Sequence, residues 1–120
     1  MVLGLGTAEN GTGHWWAQRI TAAALIPLGL WFAISVLSLP VADYGAVRSW
    51  LVQPLNSSLM VLLVVSVLHH SQLGIQVVVE DYVHHDSLKA MTLSFSRLLH
   101  FALAVAAIYA LLSISLGSAT

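Results

Sequence analysis

Two adjacent histidines, His69 and His70, lie in the middle of a long apolar segment of the chain. Ionisable groups inside a membrane span are costly, and they usually face protein, water or a cofactor. An imidazole there can ligate a haem iron, or it can form a structural hydrogen bond to a neighbouring helix. Because adjacent residues of a helix point about 100° apart, the two histidines cannot serve one planar ligand together.

Helical spacing favours His70 over His69 as the ligand of a flat cofactor. His70, Gly74 and Asp81 are separated by intervals of four and seven residues, so they share one stripe of a helix. Gly74 has no side chain where a macrocycle would lie against the backbone, one turn after His70. A second polar stripe, which contains no glycine, consists of His69, Gln72, Gln76 and Glu80. Spacing thus makes His70 the better candidate for a haem ligand, while ligation by His69 and a purely structural hydrogen bond stay open as alternatives.

A haem with two axial ligands needs a second ligand from another helix, because one helix offers it only one face. His100, in the third apolar segment, is a candidate within this chain. A histidine of another subunit is the second possibility. His100 can also serve a structural contact between helices, as polar side chains in membrane bundles commonly do.

Two further pairs of residues lie where apolar segments meet polar ones. Asp81 and Tyr82 close the second segment, where a tyrosine hydroxyl can donate to a quinone carbonyl and a carboxylate can fix an arginine or relay a proton. The alternative for Tyr82 is an ordinary aromatic residue of the membrane interface. His14 and Arg19 precede the first segment, where a guanidinium can pair with a haem propionate or with a lipid phosphate.

The composition shows what must position these side chains. Of the 120 residues, 58% are hydrophobic and 8% are charged, whereas about a quarter of the residues of a soluble domain are charged. Apolar runs cover approximately residues 20–40, 55–80 and 95–116, each near the ~20 residues that cross a bilayer. They lack the alternation of membrane strands. We predict an all-α membrane protein, one domain over residues 1–120, with three transmembrane helices in the lipid bilayer.

The basic residues predict an orientation. Arg19, Lys89 and Arg97 are expected on one side of the membrane and only Arg48 on the other, which places the N-terminus in the cytoplasm. Residues 1–13 lack the basic segment and the long apolar core of a signal peptide. An Arg- and Ser-rich presequence is also missing, so we expect a bacterial inner (plasma) membrane rather than a mitochondrial one.

Several functions are excluded or disfavoured by the residues that the chain lacks. A net charge of −1 argues against nucleic acid as a partner. The absence of cysteine excludes iron–sulfur clusters held by this chain. No G-x-G-x-x-G fingerprint for a flavin is present. We therefore expect the chain to take part in redox chemistry only as a subunit, not as a catalyst by itself.

The run from His70 to Gly74, followed by Asp81, Tyr82 and Val83, resembles the second helix of the small D-type membrane anchor of succinate dehydrogenase (complex II). That family shows a histidine, a glycine four residues later, and an Asp-Tyr pair eleven and twelve residues later. These offsets hold when counted from His70 and fail when counted from His69. Residues 13–22 (GHWWAQRITA) also resemble the family's approach to its first helix.

The resemblance implies a function that spacing alone does not. Such anchors pair with a C-type membrane anchor, share a haem b with it, and dock an iron–sulfur subunit and a flavoprotein that holds FAD. Electrons from succinate then pass through FAD and the clusters to ubiquinone. It further implies that His70 is the haem ligand beside Gly74, that Tyr82 and Asp81 form part of the quinone site, and that Arg19 and His14 meet the haem propionates.

Two other functions stay open at this point. One is a haem-b anchor of a fumarate reductase or of another quinone-linked dehydrogenase. The other is a small multi-pass transporter or assembly protein without a redox cofactor, because polar residues inside a span also mark transport paths.

Overall fold

The fold was analysed in a computed structural model, which describes residues 2–117, with side chains described from residue 12 onward. It contains four helices: α1 (Val2–Ser38), α2 (Tyr44–Val52), α3 (Pro54–Tyr82) and α4 (Asp86–Leu116). Residues 2–117 form no strand. Helices α1, α3 and α4 each contain a stretch that is long and apolar enough to cross a membrane. The predicted all-α class with three spanning helices is thereby confirmed.

Local chemistry explains where the helices begin. Helix α2 begins after Asp43, whose carboxylate accepts a hydrogen bond of 2.9 Å from the backbone N–H of Gly45. Helix α3 begins with Pro54, which lacks an N–H at a position where none is needed. Helix α4 begins after His85, whose ring Nδ1 accepts from the backbone N–H of Leu88 at 3.4 Å.

The helices extend beyond the apolar runs that identified them. Helix α4 begins at Asp86 rather than near residue 95, so the connection after α3 shrinks to residues 83–85. The first connection, 41–53, is not simply a polar loop, because it contains α2. Hydropathy marks the part of a helix that fits the hydrocarbon layer. Helical hydrogen bonding continues past that layer wherever the residues favour it, as in the DSLKAM segment that opens α4.

Helix α3 lies between the other two spanning helices. It packs against both α1 and α4, whereas the backbones of α1 and α4 do not contact each other within the described residues. Helix α2 packs against α3 and α4, and its Trp50 ring stacks on Trp31 of α1 with the ring centroids 5.3 Å apart. The three spans therefore form an open row with α3 in the centre, which leaves grooves beside α3.

A basic residue ties α2 to the end of α4. The Arg48 guanidinium donates a hydrogen bond of 3.0 Å to the backbone carbonyl of Gly117, the residue that caps α4. A cation is favourable at a helix C-terminus, where backbone carbonyls lack intrahelical partners. Arg48, the single basic residue on this side of the membrane in the predicted topology, thus forms a hydrogen bond within the chain.

Few side chains are buried within the chain itself. Most large apolar side chains of the spanning helices are exposed, and the buried ones among the described residues are Leu51, Leu63, Leu73, Val79, Ser96 and Leu111. In a bilayer, an apolar surface that is exposed in the isolated chain faces lipid tails or another membrane helix. The surface of the chain therefore suits a hydrocarbon environment, with packing contacts concentrated around α3.

We expect the chain to be unstable when it is produced without a second membrane subunit. His69 is exposed on α3 and Gln72 is half-buried there, and polar groups that face lipid without a partner are costly. Size-exclusion chromatography in mild detergent should show aggregates for the chain alone and a uniform species after production with its membrane partner. A stable, monodisperse single chain would contradict this expectation.

Candidate functional site

His70, on α3, is joined to α1 by a hydrogen bond. Its ring Nδ1 lies 3.0 Å from the hydroxyl oxygen of Thr21, and both side chains are half-buried. The Thr21 hydroxyl is also 2.7 Å from the backbone carbonyl oxygen of Ala17 and 3.1 Å from that of Gln18. This bond between two helices holds the imidazole at a defined place on the side of α3 that meets α1.

An open groove lies beside His70. It has a volume of about 420 Å³, which lies in the range of small-ligand sites, and it is lined by His70, Ser71, Gly74, Ile75, Val78 and Val79. A Cβ atom built on Gly74 would meet nothing within 4 Å, so the space over this glycine is open. His70 and Gly74 therefore share one groove, as their spacing predicts. Asp81, which the spacing assigns to the same stripe, does not line it.

His69 and His100 line a different groove, together with Gln72. The two ring nitrogens of His100 lie close to hydrogen-bonding groups: Nδ1 is 2.7 Å from the backbone oxygen of Ser96, and Nε2 is 3.1 Å from the hydroxyl of Ser71. His100 thereby links α4 to α3, which is the structural contact considered as its alternative role. The structure does not bring His100 into the groove of His70, so a second axial ligand would have to come from another chain.

Two buried polar atoms on α1 have no hydrogen-bond partner among the described residues. They are Nε2 of His14 and Oε1 of Gln18. His14, Gln18 and Thr21 follow at intervals of four and three residues, which places them on the face of α1 that carries the bond to His70. Buried polar groups are nearly always paired in folded proteins. Sequence reasoning missed Gln18, although its place one turn after His14 was a usable signal.

Arg19 lies on another part of the α1 surface. It is exposed, and its guanidinium carbon is 5.3 Å from the centroid of the Trp15 ring, a cation–π arrangement. Residues five apart on a helix point roughly 140° away from each other. Arg19 and His14 are therefore not brought together on one face, and only an extended group at the helix surface could meet both.

Asp81 and Tyr82 lie at the end of α3. Both are exposed, and the Tyr82 side chain is 77% accessible. The neighbouring Glu80 accepts a hydrogen bond of 3.0 Å from the Gln76 amide. Within residues 12–117, no hydrogen bond involves the side chain of Asp81 or Tyr82, so these side chains remain available to a quinone or to another chain.

The described residues form no cluster of side chains typical of a bound metal ion. Among the residues that the structure describes, no group of three or more His, Asp or Glu side chains could hold a metal ion. A haem is different, because its iron needs only one imidazole from this chain if a second chain supplies the other ligand. The donor set and the open space at Gly74 fit such a group.

The fold and this site define a multi-pass helical membrane protein that presents an imidazole beside an open groove between its spanning helices. Residues 1–116 match the family of succinate dehydrogenase/fumarate reductase transmembrane subunits, and the chain belongs to that family. No solved structure gives a significant match to the chain.

Relatives named succinate dehydrogenase hydrophobic membrane anchor subunit match most of the chain. The protein of Rickettsia bellii is 36% identical over 84 residues, which cover 70% of this chain and 67% of the relative. The protein of Rickettsia conorii is 33% identical over 85 residues, or 70% of this chain and 68% of the relative. The protein of Paracoccus denitrificans is 30% identical over 115 residues, or 96% and 88%. With three apolar helices and bacterial relatives, the chain is a multi-pass inner-membrane protein.

Proposed function

We propose that this chain is the D-type membrane anchor subunit of a succinate dehydrogenase. It holds an iron–sulfur subunit and a flavoprotein at the membrane, shares a haem b with a C-type anchor and helps to form the site of ubiquinone reduction. The observation that carries this proposal is the imidazole of His70, held by Thr21 beside the open groove over Gly74. The names of the relatives support the role of membrane anchor.

In this proposal His70 binds the iron of haem b, a group that supplies reversible one-electron redox chemistry when bound. Gly74 would leave room for the flat ring system against α3, and the C-type anchor would supply the other protein ligand of the iron. His14, whose buried Nε2 lacks a partner among the described residues, and the exposed Arg19 are available to the propionates. Arg19 can bind a carboxylate while its flat face remains on Trp15.

The end of α3 contributes to the quinone site. The Tyr82 hydroxyl donates a hydrogen bond to a carbonyl oxygen of ubiquinone, and Asp81 positions a basic group of a partner chain beside it. With Arg19, Lys89 and Arg97 on the cytoplasmic side, the end of α3 faces the cytoplasm as well. FAD and the iron–sulfur clusters, which need ligands that this chain lacks, belong to the partner subunits on that side.

Purification of the intact complex through this chain in mild detergent tests the proposal. We expect a flavoprotein, an iron–sulfur protein and one further membrane chain to accompany it, with succinate:ubiquinone reductase activity. If the chain is recovered with soluble subunits that act mainly on fumarate, it is the anchor of a fumarate reductase, an enzyme whose transmembrane subunits belong to the same family. Recovery without any redox subunit would overturn the proposal in favour of a transporter or an assembly protein.

A further inference from the structure

We propose that Thr21 is a positioning residue that fixes the tautomer of His70 and strengthens its ring as an electron donor to a metal. Its hydroxyl oxygen accepts a hydrogen bond from Nδ1–H of His70, so that Nε2 carries the lone pair that can bind a metal. This inference rests on the proposed function, because the tautomer of His70 affects electron transfer only when this histidine ligates the haem iron.

The direction of the hydrogen bond follows from the other contacts of Thr21. A hydroxyl has one proton and two lone pairs. The Thr21 hydroxyl oxygen lies 2.7 Å from the Ala17 carbonyl and 3.1 Å from the Gln18 carbonyl, and both of these groups can only accept. A threonine in a helix commonly donates to the carbonyl one turn before it. With its proton used in this way, Thr21 meets Nδ1 of His70 at 3.0 Å as an acceptor.

The tautomer of His70 follows from that direction. An Nδ1 atom that donates carries the proton, and in a neutral imidazole the other nitrogen, Nε2, is then unprotonated. Within residues 12–117, Nε2 of His70 takes part in no hydrogen bond. It is therefore free to act as a ligand at the groove that His70 shares with Gly74.

His69 and His100, on the same helix as His70 and on its neighbour α4, differ in this respect. His69 is exposed, and within residues 12–117 its ring forms no hydrogen bond that would fix its tautomer. His100 has one ring nitrogen beside the Ser96 carbonyl and the other beside the Ser71 hydroxyl. Among these three, the described contacts orient only His70 while leaving one of its nitrogens available.

The hydrogen bond between His70 and Thr21 should also change how strongly the imidazole of His70 donates electrons to a metal. A hydrogen bond that Nδ1–H donates makes the imidazole a stronger electron donor toward a metal at Nε2. A stronger donor stabilises the ferric state of a haem relative to the ferrous state, which lowers the reduction potential. Loss of the Thr21 hydroxyl should therefore make the potential of the haem more positive.

Substitutions of Thr21 in the intact complex test this inference. Thr21→Val removes the hydroxyl and keeps the branched shape, and Thr21→Ser keeps the hydroxyl. Thr92→Val, at another half-buried threonine, on α4, is the matched control. An optical redox titration of the haem and the g values of its ferric electron paramagnetic resonance signal are measured. We expect a more positive potential and shifted g values in Thr21→Val, and wild-type values in Thr21→Ser and Thr92→Val.

Unchanged potential and g values in Thr21→Val would overturn the inference. Equal shifts in Thr21→Val and Thr21→Ser would overturn it too, because the hydroxyl would then not be the cause. If Thr21→Val fails to assemble, Thr21→Ala replaces it in the same comparison with Thr21→Ser. A haem spectrum that His70→Ala leaves unchanged would refute the ligand role in the proposed function, and this result is distinguishable from a failure of Thr21 alone.

Discussion

Replacement of His70 by alanine should eliminate the spectrum of a six-coordinate low-spin haem in the assembled complex. The substitution removes one axial ligand, and the described contacts provide no other imidazole in the groove beside Gly74. His100 cannot take over without breaking its contacts to Ser96 and Ser71. The loss is measured in reduced-minus-oxidised spectra and by haem content per complex. The six-coordinate spectrum should be lost in either of two cases: the haem leaves the complex, or it stays bound by the partner chain alone, with one protein ligand fewer.

His69→Ala is the matched control, because His69 is the adjacent residue on the same helix and lines the other groove. We expect its haem spectrum and haem content to equal those of the wild type. The reverse pattern, with loss in His69→Ala and a normal spectrum in His70→Ala, would transfer the ligand role to His69. Normal spectra in both variants would mean that neither histidine ligates the haem.

A Tyr82→Phe substitution should lower the rate of ubiquinone reduction by about 5- to 150-fold, because a lost hydrogen bond to a carbonyl that stays buried costs about 1–3 kcal/mol. Succinate oxidation with an artificial dye that accepts electrons before the quinone site should keep its wild-type rate. Phenylalanine fits the same exposed position at the end of α3, so folding should be unaffected. Steady-state rates with the two acceptors separate these effects.

Tyr44→Phe serves as the control for this prediction. Tyr44 is also an exposed tyrosine at a helix end, but it begins α2, in the connection that the topology places on the other side of the membrane. We expect both of its rates to be unchanged. If Tyr82→Phe slows the dye reaction as much as the quinone reaction, the residue supports the assembly of the complex rather than the binding of quinone.

The spanning helices could be predicted from the sequence because apolar length alone identifies them. Helix α2 could not, since YGAVRSWLV is short and mixes polar with apolar residues, and its start depends on the bond from Asp43 to Gly45. The start of α4 at Asp86, nine residues before its apolar run, could not be predicted for a related reason. Its first turns are too polar for the hydrocarbon layer, yet residues 88–91 (LKAM) readily form a helix and Asp86 is favourable in the first turn.

The candidate site was predictable only where its residues share one helix. The interval of four residues placed His70 and Gly74 on one groove. The contact of His70 with Thr21 joins residues 49 positions apart, and it depends on how α1 packs against α3, which no spacing reveals. The unpaired buried atoms of His14 and Gln18 could not be predicted either, because only the packing of α1 shows that these atoms are buried. The functional roles proposed for the site residues stay predictions; these residues are His14, Arg19, His70, Gly74, Asp81 and Tyr82.

The scarcity of buried side chains in this chain bears on how its relatives can differ. Where a side chain faces lipid, one apolar residue replaces another with little effect on packing, because the surrounding hydrocarbon is fluid and adapts to its shape. Within the chain itself, steric selection is then tightest at the few buried positions around α3, such as Leu63, Leu73 and Val79. Divergence to 30% identity, as between this chain and the Paracoccus denitrificans protein, is compatible with such an architecture.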